Sequence, residues 1–279
     1  ASDAELLERI HFDVPSWVGE ERRRSVAGLA LPEEADQLSS RLISQLPKLE
    51  GHCWLEAAVR SAYHSGANVL TAFRELFDAI LGEEAVLYLN PQLPAVRQGA
   101  ISINRLALSR YLEIGERLIG ASVDAQVHVR ARSPLFFFHP QGAGGPRYRL
   151  EAHADGEHFQ MIGGSAVVDA KDLRDAVEAG AGAISASALL RPLIQDSLLP
   201  SVCYIGGQAE VRYFEQVALI APLVDAPPPK IVPRARFLLI DAKAARLQKQ
   251  LGVATSELLQ PFAEVQRSMT ERALGESPA

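Results

Sequence analysis

A chain of 279 residues with 48% apolar content has enough material for a large core, and 34 acidic against 28 basic residues leave a formal net charge of -6. The basic residues are scattered apart from Arg22 to Arg24, and no apolar run nears the roughly 20 residues of a membrane span, so neither nucleic acid nor a bilayer is an expected partner. No basic-then-apolar leader opens the chain, which predicts a cytoplasmic protein, and Cys53 and Cys203 form no CxxC pair, which predicts core thiols rather than disulfide or zinc ligands.

The first forty residues read as helices and loops without an opening strand, and residue 1 is Ala, so the chain is expected to start within a longer protein. Pro47 precedes an apolar-periodic helix from about Trp54 to Tyr63, and Asn68 or Thr71 caps a second helix that carries Phe73, Leu76, Phe77 and Ile80 and ends at Gly82. Ala85 to Leu89 reads as a buried strand closed by Asn90 and Pro91. The next thirty residues read as one amphipathic helix, with Ile103, Leu106, Tyr111, Ile114 and Leu118, up to Gly120.

Between Gln126 and Ile162 the apolar period changes to two: QVHVR, LFFF, RYRLEAH and EHFQMI predict short strands, the last pair joined by the hairpin turn Asp155-Gly156. Asp169 and Asp172 start a helix to Glu178. Pro192 suits the first turn of a short helix that Pro200 ends, Val202 to Ile205 reads as a strand, and Gly206-Gly207 turns the chain into a helix with Val211, Phe214, Val217 and Ala218 on one face. Pro227 to Pro229 approaches a further strand, IVPRARFLLI, and Asp241 caps a helix through Leu251.

This rhythm predicts an α/β fold, a Rossmann-like parallel-sheet core with an antiparallel β-rich insertion. Residues 1–125 and 169–250 form the two parts of the core, 126–168 the insertion, and 251–279 the start of a connection to a coiled coil.

The segment from Leu189 to Gln216 gathers the candidate binding residues. Arg191 offers a planar fork that matches a carboxylate, or it pairs with Asp196 across one short helix. Gln195 and Asp196 are adjacent, so only one faces a cleft squarely. Tyr204 lies at the carboxyl end of a strand, where open α/β sheets hold ligands. The backbone of Gly206 and Gly207 suits an anion, yet Glu210 in the first helical turn repels one, so Glu210 either meets a ligand amine or hydroxyl or serves the helix dipole. Tyr213 and Gln216 follow on the same helical face, and Arg234 enters the next strand as a further phosphate or carboxylate contact. His153 and His158 flank the hairpin turn, but two imidazoles do not make a zinc site, and no metal site is identified. His128 and His139 read as strand and turn residues. No Ser-His-Asp or Cys-His pairing stands out.

The pattern LLRPLIQDSLLP, then YIGGQAEVRYFEQ, then PRARFLLID resembles the bacillithiol-biosynthesis cysteine-adding enzymes, the BshC family. LYLNPQLPAVRQGA, SPLFFFHP and PRYRLE fall in the order expected of that family, covering roughly residues 55 to 260. Ser187 and Gln208 depart from it, standing where the family prefers Asn and Pro. The resemblance implies a ligase adding L-cysteine to glucosaminyl-malate in the last step of bacillithiol biosynthesis. It implies substrate contacts from Arg191, Gln195, Asp196, Tyr204, Gly206, Gly207, Glu210, Tyr213, Gln216 and Arg234, and a nucleotide, ATP or ADP, as cofactor. It also implies that a first Rossmann half and a coiled coil, the latter a route to a homodimer, lie outside this chain, which is then inactive alone. Two other readings keep the fold: a nucleotide or sugar-phosphate binding module without catalysis, and an adenylating enzyme of the nucleotidyl-transferase kind.

Overall fold

A computed structural model describes residues 23–46, 51–82, 84, 86–121, 125–180, 182–199, 201–227 and 230–274. Two compact units divide the chain, Ala1–Pro233 and Arg234–Ala279.

Among the described residues of the first unit, a 3-10 turn (Val26–Gly28) leads to three helices, α1 (Ala35–Gln45), α2 (His52–Ala62) and α3 (Val69–Leu81). Asn68 caps α3 as its sequence position predicts, its side-chain oxygen accepting from the N–H groups of Leu70 and Thr71 at 3.0 and 3.2 Å. Gly82, at φ 62° and ψ -118°, ends the helix in a conformation that only glycine reaches cheaply. Pro47 and Ala85 lie outside the described residues. The strand expected at Ala85 to Leu89 is not formed over Val86 to Leu89, which run as exposed chain with Leu87 98% exposed. An apolar run becomes a strand only where another strand hydrogen-bonds to it, and none of the described strands does.

The single long helix expected next is three: α4 (Pro94–Gly99), α5 (Ile101–Ser109) and α6 (Tyr111–Gly120). The breaks fall at Ala100 and at Arg110, whose φ of -114° and ψ of 20° leave the helical region. Arg110 meanwhile donates to the Leu223 carbonyl at 3.2 Å, a tertiary bond that no periodicity reveals.

Five strands follow the period-two segment: β1 (Phe136–Phe138), β2 (Tyr148–Ala152), β3 (His158–Met161), β4 (Val167–Asp169) and β5 (Ile184–Ala186). They form one sheet in the order β4-β3-β2-β1-β5, antiparallel at every pairing. The expected insertion is therefore the principal sheet of the described residues, and it recruits β5 from the segment assigned to a parallel core. QVHVR forms no strand there. The mixed α/β class holds. Parallel pairing is confined to β6 (Tyr204–Gly206) and β7 (Ile231–Pro233). In β2, Tyr148, Leu150 and Ala152 are buried while the residues between them are exposed or half-buried, the alternation that a sheet with one covered face produces.

That covered face meets α5, α6, α7 (Ala170–Ala179), α8 (Leu190–Leu198) and α9 (Gln208–Ile220) in one core. Ile114, Leu150, Phe159, Leu173, Leu190, Val217 and Ile220 are fully buried, each worth about 1.5–3 kcal/mol of transfer free energy. Phe159 meets Tyr111 edge-on, ring centres 5.5 Å apart, which ties the sheet to α6.

Cys53 and Cys203 are exposed, not core thiols. Cys203 precedes β6, whose apolar run is too short to be covered on both faces, and Val202 beside it is 87% exposed. Pro200, Pro228 and Pro229 lie outside the described residues. No helix among the described residues is long and apolar enough to cross a membrane.

In the second unit, Asp241 caps α10 (Ala242–Leu251) as expected, accepting from the Ala244 N–H at 2.6 Å, and α11 (Phe262–Leu274) follows. The strand expected over IVPRARFLLI stops at Pro233. Phe237 and Leu239 beyond it are 86% and 93% exposed, again apolar residues with no pairing strand.

The hairpin at Asp155-Gly156 forms as predicted, Gly156 taking a φ of 73°. His158 donates to Asp155 at 2.8 Å and lies 3.5 Å from Asp169. The hydrogen bond to Asp155, reinforced by the charges of Asp155, Asp169 and Glu157, raises the His158 pKa above 6.5, and the same bond lowers Asp155 below 3.8. The His158 contribution is complete below the unfolded value of 6.5 and is lost as pH rises through the raised folded value. The Asp155 contribution is lost as pH falls through its lowered one. His158→Ala should therefore destabilise the chain more at about pH 5.5 than at about pH 9, with the difference shrinking in high salt. Urea midpoints at the two pH values check this, and equal losses would remove the ion pair from the account.

Candidate functional site

The parallel pair β6-β7 and the helices α8 and α9 position the polar residues singled out in the sequence. α8 presents Arg191 and Gln195 four residues apart on one face. Arg191 donates to Gln195 Oε1 at 3.5 Å and to the Tyr213 hydroxyl of α9 at 3.4 Å. The Arg191–Asp196 ion pair weighed from the sequence is not formed, and Asp196 has no ion-pair partner among the described residues.

Tyr204 sits half-buried in β6, its ring 4.6 Å from that of Phe214. Its hydroxyl donates to Glu210 Oε1 at 2.7 Å. Burial raises the Tyr204 pKa first, the bond to Glu210 adds to it, and Arg191 opposes both. Glu210 Oε2 accepts from the Gly207 N–H at 2.6 Å, so the third residue of α9 reaches back to close its own helix start. Both Glu210 oxygens thus have partners within the chain, the helix-start role of the two considered.

Gln216 is corrected. It is 1% exposed, its Nε2 donating to the Val127 carbonyl and its Oε1 accepting from the Val127 N–H, both at 2.9 Å. Its amide pins a neighbouring segment and does not face a cleft. Arg234 opens the second unit, exposed, one residue after β7 ends. Arg191, Gln195, Tyr213, Tyr204, Glu210 and Gly207 are the residues brought together.

A cleft of about 280 Å³ opens beside this cluster, and Arg191 is the only one of the candidate residues that lines it. The sheet supplies its floor. Ser185 pairs with Phe137 across β1 and β5, and the register of β1 with β2, continued one step, sets Arg147 across from His139. Residues two apart on a strand share a face, so Phe137, His139, Arg147 and Ser185 lie on one face of the sheet, and His139, Arg147 and Ser185 line the cleft. His139 Nε2 lies 2.8 Å from Ser185 Oγ, and the Arg147 guanidinium lies over the Phe137 ring at 4.8 Å. Arg97 comes from α4 and Asn104 from α5. His139 is buried at 3% exposure, and burial, then the charge of Arg147, lower its pKa, with the Gly145 backbone opposing and Arg97 adding to the fall. The sequence reading missed His139 and Asn104. Asn104 was legible as a lone amide in the apolar row Ala100, Ala107, Leu108, whereas no spacing separates His139 from an ordinary turn residue.

Among the described residues no group of three His, Cys, Asp or Glu side chains is placed to hold a metal ion.

The family described as Bacillithiol biosynthesis BshC, N-terminal Rossmann-like domain, matches residues 8–235. The chain belongs to the BshC family. It is 31% identical over 206 residues to a protein of Solibacter usitatus named "Putative cysteine ligase BshC", covering 71% of this chain and 37% of that protein. A BshC relative of the same name from Koribacter versatilis is 30% identical over 224 residues, 78% of this chain and 41% of the relative. Another from Salinibacter ruber is 25% identical over 241 residues, 84% and 43%. The chain thus spans 37% to 43% of the length of these BshC relatives.

Proposed function

We propose that this BshC-family chain is the carboxylate-holding part of a ligase that adds L-cysteine to glucosaminyl-malate, the last step of bacillithiol biosynthesis. The state of Arg191 carries the reading. Its side chain is exposed at the mouth of the cleft, its hydrogen bonds within the cluster run to neutral partners at 3.4 and 3.5 Å, and Asp196 does not neutralise it. A guanidinium so placed keeps its fork for a carboxylate, which both named substrates carry. Tyr213, Gln195 and Tyr204 orient the group, and the protein contributes position and charge complementarity rather than a covalent nucleophile.

A nucleotide phosphate does not fit the Gly206-Gly207 turn. The Glu210 carboxylate already takes the Gly207 N–H and places negative charge in the first turn of α9. The reading puts no nucleotide there.

Titration of glucosaminyl-malate into the chain tests the assignment. Arg191→Ala should weaken binding at least about tenfold, equivalent to about 1.4 kcal/mol, and Arg191→Lys, which keeps the charge but not the fork, by less. Unchanged affinity in Arg191→Ala would refute the anchor. With L-cysteine and ATP added, the full-length Solibacter usitatus relative should release the cysteinyl product and the 279-residue chain should not. Product from the chain alone would show that this part suffices.

A further inference from the structure

A second cavity, of about 340 Å³, lies between α5 and α7 beside Gly156 of the hairpin turn, and it shares only Val177 with the cleft at Arg191. Its walls are apolar: Leu108 comes from α5, Val177 from α7, and the edge-on pair of Tyr111 and Phe159 from α6 and β3. Charge enters at three points. Arg105 and Glu178 form a two-point ion pair at 2.5 and 2.6 Å, which ties α5 to α7 and sets one charge against the other. Arg174 lines the same cavity, exposed and with no ion-pair partner among the described residues, so one positive charge is left over. The Tyr111 hydroxyl makes no hydrogen bond among the described residues and is open to solvent. Gly156 beside it has no side chain to fill the space, and even a Cβ there would stand 3.7 Å from that hydroxyl.

We infer that this cavity binds a small monoanion made of a flat apolar ring and one carboxylate. The ring lies against Tyr111 and Phe159, and the carboxylate meets the Arg174 fork, with the Tyr111 hydroxyl as a further donor. The charges select the class. A phosphate dianion would bring a second negative charge to a cavity that already holds Glu178, and an uncharged ring would leave the guanidinium unused. The volume is at the small end of ligand sites and suits a molecule of about ten heavy atoms. This inference concerns a different cavity from the ligase reading and does not rest on it.

Phenylacetate and phenylacetamide share a ring and a shape and differ in charge, while acetate carries the charge without the ring. NMR titration of the nitrogen-15-labelled chain should show phenylacetate binding at least about tenfold tighter than either, with shifts at the Ser109 and Gly156 amides. Phenylacetamide or acetate binding as tightly as phenylacetate, or no binding of phenylacetate at millimolar concentration, would overturn the inference. Arg174→Gln should weaken phenylacetate at least about fivefold and leave the melting temperature unchanged, since the side chain it removes is exposed and unpaired. Arg191→Ala, which tests the ligase reading, should leave phenylacetate affinity as it was. Unchanged affinity in Arg174→Gln, or a loss in Arg191→Ala, would place the ring acid elsewhere and overturn the assignment.

Discussion

Gly115→Ala is expected to destabilise the chain by about 3 kcal/mol, the upper end of the cost of forcing extra volume into a packed interior. Local helix propensity predicts the opposite sign, since alanine is favoured over glycine inside a helix by about 1 kcal/mol. The tertiary term decides, because a Cβ on Gly115 would sit 1.9 Å from the Ala131 carbonyl oxygen and 2.7 Å from its carbon. The obstacle is backbone and cannot rotate away. The segment around it is tied down: Val127 is held by Gln216, and Arg132 accepts from the Ala152 N–H through its carbonyl at 2.9 Å and donates to the Ala152 carbonyl at 3.0 Å. Retreat of Ala131 would strain those bonds. Gly120→Ala, at the end of the same helix with nothing within 4 Å of the added carbon, is the control and should shift stability by less than about 0.5 kcal/mol. Urea midpoints of the two variants settle the sign, and a stabilised Gly115→Ala would mean that α6 does not press on residue 131.

Gln216→Ala should cost about 3 kcal/mol. It removes both partners of the Val127 backbone and leaves a void on a face that includes Phe214, Val217 and Ile220. Gln216→Leu keeps most of the volume and isolates the hydrogen bonds, with an expected loss of about 2 kcal/mol. In both variants the Val127 amide should exchange with solvent faster relative to the core strands. If Gln216 were a ligand group instead, either substitution would leave stability nearly unchanged and reduce binding alone.

Elements whose signal is local were readable from the residues. Asn68 before an apolar-periodic run, Asp155-Gly156 between alternating segments and Asp241 before a helix each carry their own capping or turn chemistry, and each occurs where that chemistry placed it. Arg191, Gln195 and Tyr213 were readable as polar candidates of one motif, and the fold places Arg191 within reach of the other two. Apolar runs without a partner were misread. Val86 to Leu89 and Phe237 to Leu239 have strand-like composition, but a strand requires a neighbour whose backbone groups meet its own.

The choice between two roles for one side chain lay beyond any local pattern. Glu210 as helix start, Gln216 as clamp on Val127 and Asp196 as no partner of Arg191 depend on which distant backbone arrives within 3 Å, and that is a property of the packed chain. The same holds for the cleft, where α4, α5, the residue after β1, β5 and α8 each bring one polar group from positions up to 94 residues apart, Arg97 to Arg191. Capping, turn and periodicity rules act over a few residues, so they set the elements and the family motif from sequence alone. The antiparallel sheet, the buried neutral His139 and the unpaired Asn104 exist only because long-range pairing and burial were decided by the tertiary structure.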